Sequence, residues 1–351
     1  MDARKITKTG LAKASFLFAL VWVTVFLSGC DRTPEVIKIS GGKMGTTYHI
    51  TIVAEQPAPS DLAEQIDAVL TQVDQSMSTY KPESELSQFN GLAAGQSMTV
   101  SEGLWEVLAI SKTIWQQSDG SFDPTIGPAV DLWGFGPVQT YDRVPSEEEI
   151  AQTLLGTGYQ HLLMSDDRTI SKDLPIRLDL SAVAKGYAVD QVADLLESLA
   201  LPDYLVEIGG EMRVSGLNPE GGPWRVAVES PDASGTVDTI LPLHNVAVAT
   251  SGDYRNYFEK DGKRYSHTID PKTGAPITHN LASVTVIATR CADADAWATA
   301  FSVMGPERAL SLANNLSIPM YMLVHVDGQF KALSSNGFGR YLETEKSEKG
   351  F

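Results

Sequence analysis

The chain is poor in cysteine: Cys30 and Cys291 are the only two in 351 residues. With Cys30 at the processing site described below, no intramolecular disulfide is available, and no zinc site can be built on thiolates. Cys291 then reads as a small buried apolar residue. Basic residues are also scarce, 27 against 44 acidic, for a formal net charge of −17. Such a surface excludes nucleic acid as the natural partner, because phosphate binding rests on Lys and Arg contacts. An anionic ligand would need local cations or a metal. Several reaction signatures are missing: no G-x-S-x-G, no H-E-x-x-H, no kinase set, no G-x-G-x-x-G and no phosphate-loop Gly-Lys-Ser/Thr. What remains is a chain with 43% hydrophobic residues, enough to bury a large core in one or two domains.

The N-terminus is the most patterned stretch. Arg4, Lys5, Lys8 and Lys13 precede an apolar run from Ala14 to Leu27, and Leu27-Ser28-Gly29-Cys30 follows. A basic region, a short apolar region and small residues before a cut describe a secretory signal, and the run is too short for an ordinary membrane span. The tetrapeptide resembles a bacterial lipobox, with Cys30 lipidated as the first mature residue. Asp31 resembles the signal for retention at the inner membrane. Residues 1–29 are therefore expected to be removed, 30–40 to form a lipidated tether, and 41–351 to form the functional domain on the periplasmic side of that membrane.

Along the mature chain, Gly41-Gly42-Lys43-Met44-Gly45 leads into a strand over 46–53, where Tyr48, Ile50 and Ile52 alternate with Thr47, His49 and Thr51. The spacing of Leu62, Ile66, Val69, Val73 and Met77 predicts an amphipathic helix, with Asp61 and Glu64 as a capping box. Tyr80 follows it, as a stacking platform or a core residue. Short helices are expected over 84–90 and from Ser146, whose partner Glu149 suits a capping box, and a longer one over 101–118. The Gly, Pro and aromatic density of Ser121-Phe122-Asp123-Pro124 and Trp133-Gly134-Phe135-Gly136 marks either a binding loop or a packed surface loop. Residues 176–180 read as a strand, 181–184 as a tight turn and 185–199 as a helix. The short strands 204–209, 211–216, 224–229, 240–243 and 246–250 form a mainly antiparallel meander. A strand over 282–289, a helix over 293–304 and a hairpin around Asp327-Gly328 close the chain.

Three places carry candidate chemistry. Asp295 and Thr299, four apart on one helix face, suit a hard cation that takes oxygen ligands, or else are a helix cap and a tolerated interior residue. Arg255 is either a phosphate clamp or an ordinary surface residue. His267 and Asp270 stand where a strand over 263–269 gives way to an Asp-Pro turn, as an acid/base pair or as an edge histidine beside a turn.

Read together, Met44-Gly45-Thr46, Ser121-Phe122-Asp123-Pro124-Thr125, Asp179-Leu180-Ser181-Ala182-Val183-Ala184-Lys185-Gly186, Glu207-Ile208-Gly209-Gly210, Thr250-Ser251-Gly252-Asp253-Tyr254, His267-Thr268-Ile269-Asp270-Pro271-Lys272-Thr273-Gly274 and Ala292-Asp293-Ala294-Asp295-Ala296-Trp297-Ala298-Thr299-Ala300 resemble the ApbE family of FAD:protein FMN transferases, in order from about Gly41 onward. The resemblance implies an α+β fold, related to the T-fold, of largely antiparallel sheet with packed helices and a smaller α/β portion. It implies cleavage of the FAD pyrophosphate and transfer of FMN to a threonine hydroxyl of an extracytoplasmic protein, with AMP released. The targets implied are subunits of sodium-translocating NADH:quinone oxidoreductase or Rnf-type redox complexes. By the same resemblance, Mg2+ rests on Asp295, Thr299 and the carbonyl of Ala184, which should lie outside the helical ladder. Met44, Tyr80, Ser121, Phe122, Asp123, Asp179, Lys185 and Ile269 line the FAD site, and Arg255 adds a phosphate contact. His267 is the general base, and Asp270-Pro271 shapes its turn. A hydrolase splitting FAD to FMN and AMP, and a flavin-binding lipoprotein without chemistry, are the alternatives.

Overall fold

A computed structural model describes residues 34–136, 143–231, 236–252 and 257–342. Cys30 and residues 1–29, expected to be removed, lie outside them. Eight strands form one fully antiparallel sheet in which spatial order equals chain order: β1 Glu35–Lys43, β2 Thr46–Ala54, β3 Asp203–Ile208, β4 Glu211–Ser215, β5 Val246–Gly252, β6 Leu281–Ala288, β7 Met320–Val326 and β8 Gln329–Ser334. The helices are α1 Leu62–Met77, α2 Glu85–Gly91, α3 Glu102–Gln117, α4 Gly127–Leu132, α5 Glu147–Leu154, α6 Ala184–Ser198, α7 Cys291–Met304 and α8 Pro306–Leu316.

Period-two alternation sends the sheet's side chains to two separate cores. Ile50, Ile52, Val206, Ala247, Ala249, Val284, Val286 and Met322 face the layer containing α1, α6 and α7. Val214, Val248, Ile287 and Leu323 face the opposite way, under the hairpin Trp224–Glu229/Val237–Leu243. A small three-stranded sheet, Ser97–Thr99, Leu162–Ser165 and Thr169–Lys172, stands apart.

Several expectations change. The tether expected to reach residue 40 is, from Glu35 onward, the edge strand β1, paired with β2 along its whole length from Glu35↔Ala54 to Lys43↔Thr46. Ile37 and Ile39 pack against the core, which an unstructured tether would leave in water. Asp61 is the N-cap residue of α1 but makes no side-chain cap bond; its carboxylate accepts from Gln65 Nε2 instead, at 3.0 Å. The capping box at Ser146 and Glu149 is present. Residues 176–180 belong to no sheet, and α8 carries no expectation from the sequence reading.

Helices α6 and α7 cap each other. Asp190 on α6 accepts from the N–H groups of Cys291 and Ala292 at 2.9 and 3.0 Å, and Asp295 on α7 accepts from Gly186 N–H at 3.0 Å. Each carboxylate satisfies N–H groups that a helix start leaves free and sits at the positive end of the dipole. The alanines of α7 allow the close approach, and Gly186 completes it: a Cβ there would run into the Cys291 carbonyl. Because that obstacle is backbone, Gly186→Ala is expected to cost about 1–3 kcal/mol, measured by denaturant unfolding.

Candidate active site

The site lies at one end of the sheet, where the turns β1–β2 and β3–β4 and the end of β5 converge. Met44-Gly45 forms the first turn with φ of 54° and 74°, the signature of a type I′ hairpin, and Gly209-Gly210 forms the second with φ of 64° and 104°. Met44 is bulky for a left-handed position, and such backbone persists where surrounding structure enforces it.

Two neighbouring cavities open there. The first, about 420 Å3, is lined by Met44, Tyr80, Asp179, Ala184 and Lys185 among others. The second, about 320 Å3, is lined by Ser121, Phe122, Asp123, His267, Ile269 and Thr299 among others. Thr79, Tyr80, Asp179 and Ser181 belong to both walls. The cleft therefore brings together the sequence-predicted flavin residues and His267. Arg255 lies outside the described residues. Tyr80 is 73% exposed, so it is a rim residue with a free face and no part of the core.

Asp179 is delivered by the extended segment 176–180, which borrows its hydrogen bonds from side chains. Asn90 on α2 accepts from Leu178 N–H at 2.7 Å and donates to the Leu178 carbonyl at 2.9 Å. Buried Lys172 donates to the carbonyls of Ile176 and Asn90 at 2.9 and 3.1 Å, and Asp179 N–H donates to Pro124 at 2.7 Å. Burial lowers the Lys172 pKa, and Arg177 adds to it. Neither Asn90 nor Lys172 stood out in the sequence, where each is one polar residue in an ordinary element. Asn90→Ala strands both backbone groups of buried Leu178, so a loss of about 2–4 kcal/mol is expected in urea unfolding.

Asp123 lines the cleft, but its carboxylate is engaged by the loop. Oδ1 accepts from Thr125 N–H and Oγ1 at 2.8 and 2.7 Å, and Oδ2 from Tyr159 N–H at 3.1 Å. Burial raises its pKa against these bonds. It holds the 121–126 loop in shape beside Ser121 and Phe122.

His267 is presented by a miniature hairpin, Ile269–Asp270 against Ala275–Pro276. Ser266 Oγ accepts from Thr268 N–H at 3.1 Å, and Ile277 N–H donates to Thr268 at 3.0 Å. Asp270 shapes the turn: its carboxylate accepts from Lys272 N–H at 2.9 Å and its carbonyl from Gly274 N–H at 2.8 Å. Trp133 Nε1 donates to Gly274 at 2.8 Å, and Phe135 meets the His267 ring edge-on with centroids 6.3 Å apart. A third small core, with Ala129, Trp133, Phe258 and Ile269, fastens this loop to α4.

The oxygen ligands expected for a cation divide along the cleft: Ala184 lines one cavity, Thr299 the other, and Asp295 lies buried one helical turn before Thr299. The helical ladder of α6 begins at the Val183 carbonyl, which accepts from Tyr187 N–H at 3.0 Å. Ala184 is the first helical residue, so its carbonyl stands within the ladder and offers a cation its second lone pair, where a carbonyl free of helical bonding was expected. Among the described residues no three His, Cys, Asp or Glu side chains gather as a metal cluster. A buried carboxylate, a hydroxyl and a carbonyl nonetheless fit a hard ion that keeps part of its water shell. Burial raises the Asp295 pKa, opposed by Lys185 and the Gly186 bond. A residue absent from the sequence reading completes the cluster: Glu211, buried at the start of β4, accepts from Lys185 Nζ at 2.9 Å. Burial, followed by the charge of Asp295, raises Glu211 to about 7. A signal was available, since Glu211 and Arg213 share one strand face. Both turn toward α6, where Lys185 answers the first and Asp190, Asp194 and Glu197 answer the second.

An aromatic-rimmed cleft with a histidine, a hydroxyl and buried carboxylates at the end of an antiparallel sheet defines an α+β enzyme built around a sizeable small-molecule ligand. The sequence model of the ApbE family matches residues 44–322, and the chain belongs to that family. It is 44% identical over 323 residues to the FAD:protein FMN transferase of Vibrio cholerae, covering 91% of this chain and 96% of the relative. It is 40% identical over 343 residues to the protein of the same name in Escherichia coli K12, covering 94% and 98%. The solved structure of the flavin transferase ApbE from Vibrio cholerae superposes with a TM-score of 0.83 at 42% identity, covering 88% of this chain and all of that one.

Proposed function

We propose that this ApbE-family flavin transferase transfers FMN from FAD to a threonine hydroxyl of a target protein in a Mg2+-dependent reaction that releases AMP. The observation that carries the reading is a pair of cavities with a shared wall, Met44, Tyr80, Asp179 and Lys185 lining one and His267 beside Thr299 lining the other. FAD is long, and two cavities side by side suit a ligand whose planar ring and pyrophosphate need different surroundings. Tyr80 offers an exposed aromatic face to a planar group. Asp295, Thr299 and the Ala184 carbonyl would hold the cation. When bound, it would supply charge neutralisation at the pyrophosphate oxygens and the departing AMP.

His267 takes the proton from the incoming threonine hydroxyl. The bond that forms joins the threonine oxygen to the FMN phosphorus, and the bond that breaks is the pyrophosphate link to AMP. The 121–136 loop and the Ile269–Asp270 turn hold His267 against the cleft wall, so the base meets its substrate already oriented. The basic and apolar leader ending in Leu-Ser-Gly-Cys supports a lipid anchor at Cys30 and action at the periplasmic face of the inner membrane. The targets would be subunits of sodium-translocating NADH:quinone oxidoreductase or Rnf-type complexes.

The purified chain, incubated with FAD, Mg2+ and a threonine-containing acceptor protein, is expected to give AMP and flavin-labelled acceptor in equal amounts. AMP without labelled acceptor would make it a hydrolase. Neither product would leave a flavin-binding protein.

A further inference from the structure

Lys185 faces two buried carboxylates and is bound by one. Its ammonium donates to Glu211 Oε1 at 2.9 Å but stays 4.0 Å from Asp295 Oδ2, beyond hydrogen-bond reach, while that oxygen takes the Gly186 N–H at 3.0 Å. The second carboxylate oxygen of Glu211 is buried with no hydrogen-bond partner among the described residues, so the Lys185 ammonium is the side-chain contact that holds this carboxylate. The backbone clears the way for this pairing. At Gly209 a Cβ would come within 3.3 Å of the Lys185 stem and 3.0 Å of Thr46, and the Gly209-Gly210 turn places Glu211 as the first residue of β4, opposite Ile208.

We propose that Glu211 is a positioning residue that holds the Lys185 ammonium off Asp295 and so keeps the Asp295 carboxylate open to a divalent cation. The inference rests on the cation site proposed above at Asp295, Thr299 and Ala184. Without Glu211, the nearest buried anion for Lys185 is Asp295. An ammonium seated there would occupy the lone pairs a cation uses and set a like charge against it in a site of low dielectric.

The test is Mn2+ binding to the purified full-length chain without FAD, read from the electron paramagnetic resonance signal of free Mn2+. Glu211→Ala is expected to weaken binding by about tenfold or more, the range seen when residues behind a metal's ligands are removed. Adding Lys185→Met to that variant removes the competing ammonium and is expected to return the affinity to within about threefold of wild type. A packing defect at Glu211 would not be relieved by a second substitution. If Glu211→Ala does not fold, Glu211→Gln with and without Lys185→Met carries the same comparison. A folded Glu211 variant that binds Mn2+ as wild type overturns the proposal, as does a weakening that persists when Lys185 is also replaced. Asp295→Asn, measured alongside, reports on the site itself. If that variant binds Mn2+ as wild type, or the wild type binds none, the cation site falls and the role of Glu211 falls with it.

Discussion

Asp295→Asn is expected to slow FMN transfer by about three orders of magnitude, about 4 kcal/mol of lost charge stabilisation, while leaving the fold in place. The choice of asparagine follows from the double duty of the residue. The Asp295 carboxylate accepts the Gly186 N–H at the start of α6, so truncation to alanine would also leave a buried donor unpaired. That would add about 1–3 kcal/mol of instability and confuse the readout. An asparagine oxygen can still accept the same bond, but the charge that attracts a cation is gone. Because burial already raises the Asp295 pKa, with one lysine 4.0 Å away as the nearby counter-charge, the site gains from a cation in a way a solvent-exposed aspartate would not. The rate of acceptor labelling, followed by in-gel flavin fluorescence across a Mg2+ titration, checks this. A wild-type rate with an unchanged Mg2+ response would refute the ligand assignment.

His267→Ala should lower the transfer rate by about 10²–10⁴-fold, the usual contribution of a positioned general base, with little change in FAD affinity. The two effects separate because His267 stands on the Thr299 side of the cleft, whereas Tyr80 and Asp179 bridge both cavities. Asp270 is the informative control. Its carboxylate accepts from Lys272 N–H and its carbonyl from Gly274 N–H, both bonds that shape the turn. Asp270→Asn keeps an acceptor for that N–H and is expected to change the rate by less than about threefold. Equal losses in the two variants would mean that His267 and Asp270 work as a pair and that their separation into base and turn is mistaken.

Much of the architecture was legible because alternation and helical spacing are local properties of a sequence. The strands around Tyr48, Tyr204 and Val246, the helix 62–77 and the hairpin at Asp327-Gly328 follow from such patterns and stand where the patterns put them. The failures share a cause. Residues 176–180 have the composition of a strand, yet no strand lies beside them, and Asn90 and Lys172 supply the bonds a neighbour would have made. Asp61 had the right residue for a cap, but capping needs side-chain geometry as well as identity. The edge strand β1 was hidden because the expected processing site at Cys30 drew the boundary of the tether too far along the chain.

The candidate site divides in the same way. The ordered motifs implied one constellation of His267, Asp295, Thr299 and the flavin-lining residues through the family resemblance they carry, where each residue read alone had left alternatives open. The sequence also determined the acidic balance and the period of each element, both of which depend on composition and neighbours a few residues away. Tertiary structure alone decided which carboxylates are buried and what they answer. Asp190 and Asp295 cap each other's helices, Glu211 meets Lys185 across 26 residues, and Asp123 joins its own loop to Tyr159, 36 residues on. The physical reason is that desolvation and pairing are set by what lies within a few ångströms in space, and for these groups the deciding neighbour stands far away in the chain.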